Sequence, residues 1–120
     1  AVIMADFGYG ALGAGVAEDV MPVLRSSGTF VSADISGTQA NLLKFRGAHL
    51  ICPTEREARQ VVGDHAGGLG AVVAQLMRRC ESREAMITLG RQGLLAYRQP
   101  DVMPEDGRLI SEYVPALSQR

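Results

Sequence analysis

The 120 residues predict an α/β domain built on a mostly parallel sheet. Three observations carry that expectation. Short apolar runs bounded by turn residues alternate with segments of helical period, the mark of βαβ units. Hydrophobic residues make up 47% of the chain and charged residues 21%, enough to bury one core and ordinary for a globular domain. Twelve Lys and Arg against thirteen Asp and Glu leave a formal charge of −1. The totals therefore carry no footprint for nucleic acid or for an anionic membrane surface, and any phosphate binding has to come from local geometry.

Taken in order, Val2 to Phe7 reads as a buried strand. The helix after it is expected between about Ala14 and Ser27, with Val16, Val20, Val23 and Leu24 on one face; Pro22 predicts a kink or a later start, and Gly28 a stop. Thr29 to Ala33 gives a second strand ending at Asp34, Asn41 to Phe45 one turn of helix, and Ala48 to Cys52 a third strand. Thr54 opens a short helix that Gly63 ends. Leu69, Val72, Val73, Leu76, Met77 and Cys80 follow the i, i+3, i+4, i+7 pattern of an amphipathic helix, with Arg78, Arg79 and Glu81 on its wet side. Ala85 to Leu89 is a fourth strand and Leu94 to Arg98 a fifth that can hairpin back on it. Gln99 to Gly107 reads as a solvated loop, and Arg108 to Ala116 as an edge strand.

Cys52 falls in a strand and Cys80 on an apolar helix stripe, the setting of free buried thiols rather than of a disulfide. His49 reads as a strand residue and His65 as a loop residue, with no second ligand at a metal spacing. No apolar run approaches the roughly 20 residues that span a bilayer. The default location is cytoplasmic. Residue 1 opens directly on an apolar strand without an initiator Met, so the sequence is expected to start inside a longer protein.

Three segments carry chemistry. GYGALG at residues 8–13 matches the GxGxxG fingerprint between a strand and a helix, and Asp34 ends the next strand about 20 residues on. A glycine-rich βα turn accounts for it as well as a dinucleotide does. Thr54 to Glu57 is a TxxE capping box, a complete structural reading in itself. It also sets a helix N-terminus just beyond a parallel strand, where phosphate or hydrated Mg²⁺ can sit. ITLGRQGLLAY at residues 87–97 runs a β-branched strand into a Thr-Leu-Gly-x-x-Gly turn, which removes the side chains that would hold a ligand away from backbone.

The ordered pair of Pro53-Thr54-Glu55-Arg56-Glu57 and Thr88-Leu89-Gly90-Arg91-Gln92-Gly93 resembles the PNxxE and TLGxxG motifs of the ribokinase-like (PfkB) carbohydrate kinases. ADFGYGALG and ADISGTQANLLKFRGAHLICPT resemble the corresponding segments of heptose-phosphate kinases in that family; Asp6, Gly8, Gly10, Asp34, Gly37, Thr38, Arg46 and Gly47 match. The resemblance implies a three-layer ribokinase-like core, of which residues 1–120 form a single partial domain. It implies ATP and Mg²⁺ as cofactors, and phosphoryl transfer to a sugar or sugar-phosphate hydroxyl, heptose phosphate being the nearest class. Thr54, Thr88, Leu89, Gly90, Arg91, Gln92 and Gly93 would hold the nucleotide, and Glu57 the magnesium through water. Asp6, Gly8, Gly10, Asp34 and Gly37 would face the substrate cleft. Partners would be nucleotide and sugar, with a homodimer open for the parent protein.

Three positions depart from the pattern: Tyr9 and Ser36 stand where the family has lysines, and Thr54 where it has Asn. The GAGD motif, whose Asp deprotonates the sugar hydroxyl, is not among these residues, nor is the sugar-binding and lid half, so the resemblance covers less than half of a family member. Two further readings stay open: a non-catalytic nucleotide-binding or interaction module, and a dinucleotide-binding oxidoreductase domain.

Overall fold

The computed structural model describes residues 1–6, 14–35, 43–102 and 105–117. Six strands form one mixed sheet in the order β1 (Val2–Asp6), β2 (Val31–Ile35), β3 (Leu50–Ile51), β4 (Glu84–Thr88), β5 (Leu94–Arg98) and β6 (Ile110–Val114). β1 to β4 are parallel. β5 hairpins back on β4, and β6 runs antiparallel beside it as an edge strand with every side chain exposed.

Strand order follows chain order, so right-handed crossovers between the parallel strands all pass over the same face. The helices α1 (Ala14–Ser26), α2 (Glu55–Val62) and α3 (Leu69–Cys80) accordingly share one core with that face. The sheet contributes Met4, Val31, Ala33, Ile51, Ala85, Ile87 and Tyr97; the helices contribute Ala17, Met21, Ala58, Val61, Val72, Val73, Leu76, Met77 and Cys80. The pleat turns Ile3, Leu50, Met86 and Ala96 to the opposite face. Among the described residues no helix covers that face, and Ile3 is 75% exposed. The described chain thus supplies two layers of the expected three.

Where elements differ from the sequence reading, packing explains the difference. α1 runs through Pro22 without a late start, because the proline and Glu18, whose carbonyl it leaves without a partner, both lie on the exposed side. Its buried stripe is Ala17 and Met21 flanked by Val20 and Leu24, while Val16 and Val23 are exposed. The stripe is turned by about one residue's ~100° step from the expected one. β2 begins two residues late because the Thr29 N–H is spent on Leu24 O, closing the exit from α1. β3 keeps two residues, since the Ala48 N–H turns back to Phe45 O in a local turn.

His49 precedes β3 rather than lying in it. Its Nδ1 accepts the Val31 N–H at 3.0 Å, and its ring stacks on Phe30 at 5.1 Å. A side chain thus supplies one rung between β2 and β3. Residues 41 and 42 of the expected turn of helix lie outside the described residues, as do Gly8, Tyr9, Gly10, Ser36, Gly37 and Thr38. The α2 and α3 expectations match closely, α3 spanning Leu69–Cys80 as its periodicity requires. Both cysteines are free thiols.

Candidate functional site

The carboxyl ends of β1 to β4 form one edge of the sheet, the place where open α/β sheets bind ligands. Two chain segments meet there. Thr54 forms an isolated parallel bridge with Thr88, and the Thr88 N–H donates to Pro53 O at 3.1 Å. That bridge sets the N-terminus of α2 beside the turn that leaves β4.

Thr54 caps α2 through a capping box. The Glu57 N–H donates to Thr54 Oγ1 at 3.1 Å, and the Thr54 N–H donates to Glu57 Oε1 at 3.1 Å. These reciprocal bonds use the Thr hydroxyl and one oxygen of the Glu57 carboxylate. Gly63 closes the helix, its N–H donating to Arg59 O at 2.8 Å.

The other wall is the turn after β4, where Gly90–Gln92 form one 3₁₀ turn. The Leu89 N–H reaches across to Gly93 O at 2.8 Å, and the Tyr113 hydroxyl donates to Gln92 O. The two glycines of the motif have different reasons to be glycine. Gly90 has φ +60 and nothing within 4 Å of where a Cβ would stand. Gly93 has φ +102, and a Cβ there would run into the backbone of Val114, Pro115 and Ala116. Gly90 leaves open space, whereas Gly93 lets β6 pass.

Between the walls lies an open groove of about 520 Å³ lined by Thr54, Glu55, Arg56, Arg59 and His65 on one side and Thr88, Leu89, Gly90 and Gln92 on the other. The structure therefore brings together five of the residues singled out from the two motifs: Thr54, Thr88, Leu89, Gly90 and Gln92. Glu57, Arg91 and Gly93 flank the groove without lining it. Asp6 ends β1 and Asp34 lies near the end of β2, on the same edge but three and two strands from β4. At ~4.8 Å per strand they stand about 14 and 10 Å to the side.

Four lining residues escape a sequence reading: Glu55, Arg56, Arg59 and His65. Arg59 is bound in place, Nε to Glu55 Oε2 at 2.8 Å and Nη1 to Gly67 O at 2.8 Å and Asp64 O at 3.4 Å. Asp64 Oδ1 accepts the Gly67 N–H at 2.7 Å and the Ala66 N–H at 3.1 Å. Those two backbone bonds hold the Asp64 carboxyl below its usual range. Together Arg59 and Asp64 fix the loop that carries His65 to the groove. The i,i+4 spacing of Glu55 and Arg59 was the one legible hint. On the sheet edge near Asp34, burial pushes the Cys52 thiol up, and a hydrogen bond with Ser32 partly offsets this.

The fold is that of the ribokinase-like α/β sugar kinases. Phosphofructokinase-2 from Escherichia coli, solved in complex with fructose-6-phosphate, superposes with a TM-score of 0.69 over 98% of this chain and 39% of its own, at 14% identity. Ribokinase from Arabidopsis thaliana, solved with ribose and ATP, gives a TM-score of 0.65 over 89% of this chain and 34% of its own, at 14% identity. In sequence the chain is similar to the bifunctional protein HldE of Wolinella succinogenes, 28% identical over 102 residues, 82% of this chain and 21% of the relative. The chain thus spans about a fifth of the length of that relative. No family model matches it. The resemblance to a ribokinase-like (PfkB) fragment stands, and the part present is the one that carries the Thr54 and Thr88 motifs.

Proposed function

We propose that the groove between α2 and the Leu89–Gly93 turn binds the phosphate-bearing part of an adenine nucleotide, as the nucleotide half of an ATP-dependent carbohydrate kinase. The observation that carries this reading is the Thr54 to Thr88 bridge, which joins two motifs 34 residues apart into one groove at the carboxyl edge of the sheet. Gly90 supports it, because its open α-carbon lets a ligand approach backbone N–H groups. The likeness to HldE and the sugar kinases supports a sugar or sugar phosphate as acceptor, heptose phosphate being the nearest class. Asp6 and Asp34, farther along the same edge, mark where an acceptor beside the nucleotide would lie.

The residues present fit a magnesium held mainly by phosphates and water. Among the described residues no three of His, Cys, Asp and Glu converge, and Glu57 keeps one carboxylate oxygen outside its capping bond. That suits an ion which prefers one or two carboxylates and several waters. When bound, the ion would neutralise charge on the transferring phosphoryl group.

A specific observation also favours binding without transfer: in the cap Thr54 Oγ1 already accepts the Glu57 N–H and one Glu57 carboxylate oxygen the Thr54 N–H. Calorimetric titration of the longest natural chain that contains these residues separates the readings. ATP binding that Gly90→Val removes, with phosphate transfer to a sugar, supports the kinase. ATP binding without transfer to any sugar phosphate supports the module. NADH binding in place of ATP would point instead to a dinucleotide domain and overturn both.

A further inference from the structure

Two arginines and a histidine line the groove, and only one of the arginines has its charge free for a ligand. Arg59 is neutralised by Glu55 at 2.8 Å and turned by Gly67 O and Asp64 O toward the α2–α3 loop. Glu55 is the one carboxylate among the lining residues, and that same pair consumes its charge. Its neighbour Glu57 is folded back on the cap. His65 is exposed on the loop that Asp64 and Arg59 hold. Arg56, by contrast, is exposed at the second residue of α2 and has no ion pair or hydrogen bond among the described residues.

From this partner accounting we infer that Arg56 is the phosphate-contacting cation of the groove, so that the site selects nucleotides by their number of phosphates. The inference rests on the nucleotide reading above and names a residue that neither motif specifies. With Glu55 and Arg59 cancelling, the two arginines and one carboxylate of the lining sum to one net positive charge, carried by Arg56. A guanidinium presents N–H donors in a fork that matches two phosphate oxygens at once, which an ammonium cannot do. An Arg merely solvated on a helix face would leave binding indifferent to its removal.

The test uses the same full natural chain, titrated with ATP, ADP and adenosine at two salt concentrations. The wild type is expected to bind ATP more tightly than ADP, and ADP more tightly than adenosine. Arg56→Gln should weaken ATP by roughly 10- to 100-fold, the range for a hydrogen bond to a charged group, and flatten the salt dependence. Adenosine affinity should stay within about twofold, because that ligand offers no phosphate. Arg56→Lys should recover part of the loss. The exchange is on the surface, so the urea midpoint should not move. A wild-type chain that binds no ATP overturns the nucleotide reading itself. A wild type that binds ATP and an Arg56→Gln variant that binds it equally well overturns the role of Arg56 alone.

Discussion

Replacing each glycine of the turn by alanine separates a glycine needed for a ligand from one needed for the fold. Gly93 sits at φ 102, ψ −139, close to the region that only glycine visits freely. Holding alanine there costs about 1–3 kcal/mol. The new methyl would also stand about where Ala116 N and Pro115 C come within 2.7 and 2.9 Å, with Val114 O nearer still. Those atoms are backbone at the end of the β5–β6 ladder, where Val114 pairs with Leu94, so they yield only by loosening β6. Overpacking adds about 1–3 kcal/mol, for a total near 4 kcal/mol. Gly90 at φ +60 has open space, so alanine there meets backbone strain alone, about 1 kcal/mol. With an m-value of about 2 kcal/mol/M, urea midpoints should fall by about 2 M for Gly93→Ala and about 0.5 M for Gly90→Ala. Equal losses, or a Gly93 variant within 1 kcal/mol of wild type, would sink the division of labour between the two glycines.

Two further outcomes are expected. His49→Ala orphans the buried Val31 N–H and removes the stack on Phe30, which together should cost about 2–4 kcal/mol in urea unfolding. His49→Asn restores an acceptor and should recover part of it; equal losses in both variants would show that the rung contributes nothing. Burial pushes the Cys80 thiol up to about 11 from its ordinary 9.0, against the nearby charges of Arg46 and Arg79. Because the folded value lies above the unfolded one, this stability is complete below pH 9 and drains away as pH rises toward 11. Wild type should therefore lose more stability than Cys80→Ala between those limits, and parallel curves for the two would contradict the assignment.

The parts of the fold legible in sequence were those whose signal is local. α3 showed itself because six apolar residues repeat at helical spacing and all of them pack inward, five of them fully buried. The Leu94–Arg98 hairpin followed from an apolar run just past a glycine turn. α1 misled because its three valines and one leucine outweigh Ala17 and Met21 in any apolar count. The face that reaches the core is nonetheless the one bearing the small alanine. β3 was overread because the tertiary bond from Val31 to His49, which replaces a ladder rung, has no sequence signature. In the site, Thr54, Thr88 and Gly90 were legible as capping and turn chemistry. The close pass of β6 over Gly93 and the grip of Arg59 on the Gly67 carbonyl were not, since both depend on segments brought near only by folding.

Those long-range contacts explain why so short a helix and so tight a turn can serve as two walls of one site. An isolated helix of eight residues is unstable in water, since its nucleation cost exceeds what so few bonds return. Here α2 is held by its capping box, by Ala58 and Val61 buried in the core, and by Arg79 reaching Val61 O. The turn is held by the Leu89 to Gly93 bond, by Tyr113 on Gln92 O, and by β6 against Gly93. The Thr54 to Thr88 bridge then fixes one wall relative to the other. A groove ordered before any ligand arrives spares the ligand that ordering cost, so its few polar contacts count almost fully toward affinity. Weakening an anchor that does not itself line the groove, Tyr113 or Gly93 in particular, is therefore expected to reduce binding without substituting a lining residue.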